Sequence, residues 1–394
     1  MVKQKSWQLS ASSISCFKTC PYQYFLRYIK GIRKAEEPDH FRIGTNWHTI
    51  MEIMSLKPGT ACTCVFNTDD GKAAKAGCPI CDGIGLVPYD TLLAATKVID
   101  DAYSRMPPSM DPEKWAVERV RLLYAAAAYQ WYYAGQPLNT VLREFKFDTP
   151  IFDKNGRVIN NLKVTGFVDK VIDLGGSLGI VEHKTTSDSI DPGSRYWNHL
   201  SLDTQTTLYL YIMRMLQAKG ELPQLTKPIN SLFYSVFRKP QISPKRLTQK
   251  DSKQFINDGM YCGQKFEVVE TKIDGKEQKI YVDNVQAKVI PGAKEGTFII
   301  CETPEMYGAR LLVDIAKRPE HYFVRREIPK TDAEIDRFFN ELSGILASIK
   351  SHFKLGSWYH CERQCEATYR CDYIDICYNG VDPDGELPEG LVRK

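Results

Sequence analysis

No run of about 18 apolar residues occurs anywhere in the 394-residue chain, so no membrane span is expected. The start, MVKQKSWQLSASS, carries no apolar h-region, which speaks against a secretory signal and gives a cytoplasmic expectation. Neither charge dominates: 52 Lys and Arg against 48 Asp and Glu leave +4. That balance excludes a polybasic arm or an acidic tail, and permits nucleic acid as a partner without arguing for it. No internal repeat or low-complexity tract is visible, which excludes a repeat array. What remains is ordinary globular material, 43% hydrophobic and 25% charged. It is enough to bury a full core, with a soft expectation of two to three domains at about 150 residues each.

Against that background the 12 cysteines stand out. They cluster: Cys16 and Cys20; then Cys62, Cys64, Cys78 and Cys81; then Cys361, Cys365, Cys371 and Cys377, leaving only Cys262 and Cys301 apart. Clustered thiols in a chain without a secretory leader point to metal or redox chemistry rather than to disulfides.

Residues 10–55 read as helical, with a break at Pro21 and a second helix following Gly44. A Gly- and Asp-rich interlude at 56–88 holds the second cysteine cluster, and helical stretches follow near 89–105 and 112–134. The texture then turns β-rich over 140–150, 161–173 and 177–185, with turn signals at Asn155-Gly156 and Gly175-Gly176. A helix over 203–219, a strand around 229–238, helices near 303–317 and 331–353 and a strand at 321–328 complete an α/β core. The expected segments are N-terminal core helices at 1–55, a cysteine insertion at 56–88, a helical segment at 89–136 and a catalytic α/β core at 137–238. A Lys-rich insertion at 239–300 and C-terminal helices with cysteines at 301–394 follow.

Three short strings in the core carry chemistry: Gly166-Phe167-Val168-Asp169, Ile180-Val181-Glu182-His183-Lys184 and Gln205-Thr206-Thr207-Leu208-Tyr209. Glu182 and Lys184 are two apart and leave the same face of a strand. Two carboxylates and an amine on adjacent strands can hold a hard divalent cation and place a water beside it. Gln205 and Tyr209, four apart, share a helix face and can hydrogen-bond to a scissile strand or to the lysine. Upstream, Gly44-Thr45-Asn46-Trp47-His48 puts a histidine on a helix with Glu52 one turn later. Each string alone is common on ordinary surfaces. Their order is not: Gly-x-x-x-His, Gly-x-x-Asp, Glu-x-Lys, Gln-x-x-x-Tyr.

In that order the chain resembles the PD-(D/E)XK nuclease superfamily, in its RecB-like branch with the AddB nuclease domain, CRISPR adaptation nucleases and phage exonucleases. The opening of that branch is matched by Leu9-Ser10-Ala11-Ser12-Ser13 and Cys20-Pro21-Tyr22-Gln23-Tyr24-Phe25, and the likeness covers 9–52, 140–238 and 320–377. It implies a restriction-endonuclease-like α/β fold, a mixed central sheet flanked by helices. It further implies Mg²⁺ or Mn²⁺ held by His48, Asp169, Glu182 and the backbone carbonyl of His183, with Lys184 as catalytic lysine and Gln205 and Tyr209 as accessory residues. The His183 side chain has no role in the family. Where relatives often carry Asp-Tyr-Lys this chain has Glu182-His183-Lys184, and glutamate is an accepted ligand there.

The C-terminal thiols Cys361, Cys365, Cys371 and Cys377 can close a zinc site by themselves. Alternatively, three of them join a distant thiol around an iron–sulfur cluster. The resemblance favours the second reading, a 4Fe-4S clasp on Cys20, Cys371, Cys377 and one of Cys365 or Cys361, with Cys365 preferred. Cys62-Thr-Cys64, thirteen residues, then Cys78-Pro-Ile-Cys81 reads as a zinc-binding insertion. Gly83 and Gly85 resemble the Cys-x-x-Cys-x-Gly-x-Gly repeat of zinc-binding chaperone modules.

Basic and aromatic residues alternate at Tyr24-Phe25-Leu26-Arg27-Tyr28, Phe237-Arg238-Lys239 and Tyr322-Phe323-Val324-Arg325-Arg326, a pattern suited to single strands and equally to core. The function expected is metal-dependent DNA hydrolysis, exonucleolytic, in repair, recombination or phage DNA metabolism. DNA, single-stranded or an end-bearing duplex, is the expected partner, with a helicase or recombination protein beside it. The alternatives are a non-cleaving DNA-binding or adaptor subunit of the same fold and a zinc-stapled interaction protein.

Overall fold

The computed structural model describes residues 7–36, 39–68, 71–152, 158–273, 277–292, 297–367 and 370–394. Among these, six strands form the main sheet: β1 (Trp7–Leu9), β2 (Thr140–Phe152), β3 (Val158–Asp173), β4 (Leu178–Thr186), β5 (Ile229–Arg238) and β6 (Phe323–Glu327). The order is β1-β3-β4-β5-β6, with β2 along the other edge of β3. β1 with β3 and β4 with β5 are parallel, and the remaining pairs antiparallel.

Helices cover both faces: α1 (Ala11–Thr19), α2 (Asp39–Met54), α3 (Thr91–Ala102), α4 (Pro112–Tyr132), α5 (Thr204–Ala218), α7 (Pro304–Lys317) and α8 (Asp332–Leu355), while α6 (Gln249–Asp258) packs apart from the sheet. One face packs Ile14 of α1, Leu208 and Ile212 of α5 and Leu342 of α8 on Ile180, Tyr234 and Val236. The other packs Trp47 and Ile50 of α2, Ala125 and Tyr129 of α4 and Leu311 of α7 on Phe237 and Phe323. A strand covered on both faces needs no alternation. β4 accordingly buries six residues in succession, Leu178 to His183.

β3 determines where a site can form. Its inner edge pairs with β1 over Leu162–Val164 and with β4 only over Lys170–Asp173, so the sheet forks between those stretches, with Asp169 the last residue of the gap. β2 and β3 pair antiparallel along most of their length, and the Asn155-Gly156 turn between them lies outside the described residues. Gly175-Gly176 makes the β3–β4 turn, closed by the Leu174 N–H on the Ser177 carbonyl.

Two local expectations need correction. α2 begins at Asp39 rather than after Gly44, because tertiary contacts hold its first turn: Arg42 pairs with the buried Glu118 at 2.7 Å and stacks on Trp115. The second lies after Pro21, where the helical path gives way to a π turn (Phe25–Ile29) and an unexpected strand, Ile32–Lys34. That strand pairs antiparallel with Leu391–Arg393, tying the two ends of the chain. Residues 245–303 gather α6 and short hairpins around their own small core of Leu247, Phe255, Ile280 and Ile300. Among the described residues no helix is long and apolar enough to cross a membrane.

Candidate active site

The fork in the sheet brings four separate elements to one point. Where the β3–β4 ladder stops, the Asp169 carboxylate takes its place and accepts the His183 backbone N–H at 2.7 Å. The same oxygen lies 3.4 Å from Nδ1 of His48 on α2. His48 is aimed by its neighbour Trp47, which is fully buried, stacks on Phe237 at 4.2 Å and meets Tyr129 edge-on. From β4, Glu182 enters beside Asp169, and both are buried, at 1% and 8% exposure.

α5 supplies the second half. Asp203 caps it by accepting the Thr206 N–H, and the Tyr234 hydroxyl of β5 donates to the same carboxylate, fixing the helix start over the sheet. Gln205, in that first turn, donates through Nε2 to Glu182 (3.0 Å) and accepts from Lys184 Nζ (2.6 Å). One carboxamide thus sets both the carboxylate and the ammonium. Tyr209, one turn on, packs edge-on to Phe147 and sets its hydroxyl against Gln205 and the Phe167 backbone. Gly166 has a steric reason: a Cβ there would lie 2.5 Å from Phe147 and 3.0 Å from Tyr209.

The electrostatics are those of charge held without enough counter-charge. Burial pushes the Glu182 carboxyl well above the ordinary range, and the Asp169 charge pushes it further. Asp169 lies below its ordinary range: burial opposes this, but the His48 ring and the His183 N–H prevail. One Glu182 oxygen, Oε1, is buried with no hydrogen-bond partner. Buried polar atoms are nearly always satisfied, so an unmet carboxylate oxygen beside a second carboxylate is the donor set of a hard cation.

Two further carboxylates complete the cluster. Glu52, on α2, is raised by burial and by Asp169. Glu144 lies between Arg143 and Phe145, whose partners are Lys170 and Val168, so it stands across from Asp169. Its backbone is left-handed at φ 41°, and partial desolvation plus the charges of Asp169 and Glu52 raise it to about 7. Glu144 was not foreseen: it sits in a plain alternating strand, and only the positive φ and the opposed aspartate mark it. The His183 side chain turns to the other layer, where both ring nitrogens lack partners and burial, then Lys170, holds it neutral. The aromatics read beside basic residues are largely core, Phe237 and Phe323 being 1% exposed.

Cys62, Cys64, Cys78 and Cys81 form a metal-binding site, all four sulfurs lying within 4.8 Å of one another. The short Val65–Thr68 and Gly71–Ala74 hairpin folds the Cys-x-Cys knuckle onto the second pair, leaving Cys64 and Cys81 sulfurs 3.4 Å apart. Gly85, at φ 82°, turns its N–H onto Cys81 Sγ. Burial opposes ionisation of Cys81, yet that N–H and neighbouring donors lower it to about 7. At the joined chain ends, Cys20 and Cys365 lie close enough to raise the thiols of Cys371 and Cys377, and Cys371 raises Cys377 as well. Burial, then the other three thiols, pushes Cys377 up to about 12. Cys361 donates its backbone N–H to Cys20 Sγ at 3.4 Å.

Carboxylates on two parting strands, a lysine two residues beyond one of them and a histidine from a crossing helix are the equipment of a metal-dependent nuclease. The family model of the PD-(D/E)XK nuclease superfamily matches residues 8–378, and the chain belongs to that superfamily. Its members are generally nuclease hydrolases that use divalent metal ions and take DNA as substrate. No curated protein matches the chain.

Proposed function

We propose that this chain is a Mg²⁺- or Mn²⁺-dependent deoxyribonuclease of the RecB-like branch that degrades DNA from ends, in repair, recombination or phage DNA metabolism. The observation that carries the reading is Glu182, buried on a central strand with one oxygen held by Gln205 and the other unmet, beside Asp169 and His48. His48, Asp169, Glu182 and the His183 carbonyl would hold the ion. Bound there, it supplies Lewis acidity toward the phosphoryl oxygen and makes a water nucleophilic near neutral pH.

The chain's own residues do the rest. Lys184, held by Gln205 and lying 5.6 Å over the Tyr234 ring, meets the negative charge that develops on the phosphate and orients the attacking water. Gln205 keeps the Glu182 carboxylate and the Lys184 ammonium in register, and Tyr209 backs Gln205 from the next turn. Glu182 and Asp169 are buried, which strengthens the interactions they make.

The test is degradation of end-labelled DNA with and without Mn²⁺ or Mg²⁺, by the parent and by Glu182→Ala and Lys184→Ala proteins that melt as the parent does. Both variants are expected to be inactive; full activity in either removes the assignment. Covalently closed circles are expected to resist, and their digestion would replace end-dependent with internal cutting.

The four knuckle thiols suit zinc, whose tetrahedral thiolate sites bring sulfurs this close. For the chain ends we assign a 4Fe-4S cluster to Cys20, Cys365, Cys371 and Cys377, supported by their convergence from both termini. Anaerobically purified protein is then brown, absorbs near ~400 nm and contains iron. Colourless protein holding only zinc overturns the cluster and leaves the nuclease reading standing.

A further inference from the structure

We propose that a basic cleft beside the carboxylate centre binds the terminal phosphate of the substrate strand, through Arg143, Lys170 and Arg325 with Lys57 at the rim. The inference rests on the nuclease reading and specifies how that site would select its substrate. The cleft, about 590 Å³, lies between the C-terminal end of α2, the end of α4 and the sheet. Lys170 follows Asp169 directly on β3, is 5% exposed and donates to the Ser55 hydroxyl. Arg143, its cross-strand partner, donates to the Ser55 carbonyl at 2.9 Å. Arg325, from β6, donates to the Tyr129 hydroxyl and the Gln136 carbonyl and lies 3.6 Å over the Tyr133 ring.

Every one of those partners is neutral. Among the described residues none of the three cations forms an ion pair. Three like charges gathered in one partly buried cleft repel one another; Asp169 and Glu144 near Lys170 and Glu52 near Arg143 offset part of that cost, and an anion in the cleft would relieve the rest. Arginine offers five N–H donors, and Arg143 spends only one, leaving a fork that fits a phosphate. An internal phosphodiester brings one negative charge; a terminal monoester brings about −1.5 to −2, the better match to three cations. Because Lys170 adjoins Asp169, a phosphate held there sets a nearby bond of the same strand at the carboxylate centre. The cleft would therefore register the strand end relative to the scissile bond.

The test is equilibrium binding without added divalent ions, read by fluorescence anisotropy on internally labelled oligonucleotides of one sequence. They carry a 5′-phosphate, a 3′-phosphate or hydroxyls at both ends, with a single-stranded circle as the internal-phosphate arm. One phosphorylated end is expected to bind about tenfold more tightly than the hydroxyl-ended strand, ~1.4 kcal/mol. Arg143→Gln and Arg325→Gln are expected to abolish that preference, and Lys57→Gln, at an exposed position that no packing depends on, to reduce it. Equal binding of all linear strands, or a preference that survives in both folded arginine variants, overturns the proposal. So does a circle that binds as well as the best linear strand. Binding does not require cleavage, so the two readings fail separately. An inactive protein that still prefers a phosphorylated end keeps the cleft and loses the nuclease, and an active one blind to the end does the reverse.

Discussion

The carboxylate centre is assembled from residues far apart in the chain, His48, Asp169, Glu182 and Gln205, whereas the four knuckle thiols all lie between Cys62 and Cys81. The first is held by a large apolar core on both faces of the sheet. Among the described residues, the second has only Val65 and Ile80 packed against its own sulfurs. The difference concerns what an ion does for each. At the fork, the apolar core would hold the scaffold with or without an ion, and the buried charge costs stability. In the knuckle, a bound metal would take the place of a core, and ordering of the loop would depend on it.

The largest separation between the two should appear in activity. Lys184→Ala or Glu182→Ala is predicted to lower DNA hydrolysis by about 10²–10³-fold or more while leaving the melting temperature near that of the parent. Cys78→Ser is predicted to do the opposite, leaving the cleavage rate of a short substrate within about tenfold and loosening residues 56–88. A Cys78→Ser protein as inactive as Lys184→Ala would mean that the knuckle belongs to the catalytic apparatus.

Metal removal sharpens the same contrast. Structural zinc is worth ~10 kcal/mol or more to a small thiolate site at neutral pH. Chelation is therefore predicted to abolish amide protection across 60–88 while protection in β4 and α5 persists, read by hydrogen exchange. Uniform loss across the whole chain would show that the insertion supports the core.

pH should act mainly on the carboxylates. A carboxyl whose folded pKa is raised holds a proton that the unfolded chain has released. Its contribution to stability is full below the unfolded value and lost as pH rises through the folded one. Glu182 and Glu52 are raised from 4.5, and Glu144 from 4.5 to about 7. Divalent-free protein is therefore predicted to lose stability steadily from about pH 4.5 to 7 and above. Asp169, lowered from 3.8, contributes stability lost only as pH falls below that value. Melting temperatures at pH 5 and pH 8 should differ most without divalent ions and converge with Mn²⁺. Glu182→Gln should flatten the divalent-free profile; an unchanged slope would place the titration elsewhere.

Much of this geometry was legible in residue order. Alternation and glycine turns located β3, β4 and β5, and a spacing of two put Glu182 and Lys184 on one face. The coming together of His48, Asp169, Glu182 and Gln205 was readable only through a resemblance, because adjacency across a fork has no local signal. Glu144 and the Arg143–Lys170–Arg325 cleft were not legible at all. Their meaning depends on which residues oppose them across strands, and strand register is set by the folded core. The start of α2 escaped for a related reason: Gly44 looks like a boundary, yet Arg42 and Glu118 carry the helix past it.

The glycines offer the smallest and most discriminating test, since three of them serve the two centres for different physical reasons. Gly166→Ala must push a Cβ into Phe147 at 2.5 Å and is predicted to cost ~1–3 kcal/mol of global stability. Gly85→Ala meets a backbone at φ 82° and Ala74 at 3.2 Å. Its cost of about 1–2 kcal/mol should fall on the knuckle alone. Gly44 faces only Thr185 Oγ1, at the ordinary contact distance of 3.5 Å, inside a helix. Alanine is there predicted to be neutral or stabilising by up to ~1 kcal/mol, because the helix gains propensity and loses no space. Urea midpoints should rank Gly44→Ala highest and Gly166→Ala lowest. If Gly44→Ala ranks lowest, α2 must approach β4 more closely than 3.5 Å when the carboxylate centre is working, and the fork is then not the preformed scaffold contrasted with the knuckle.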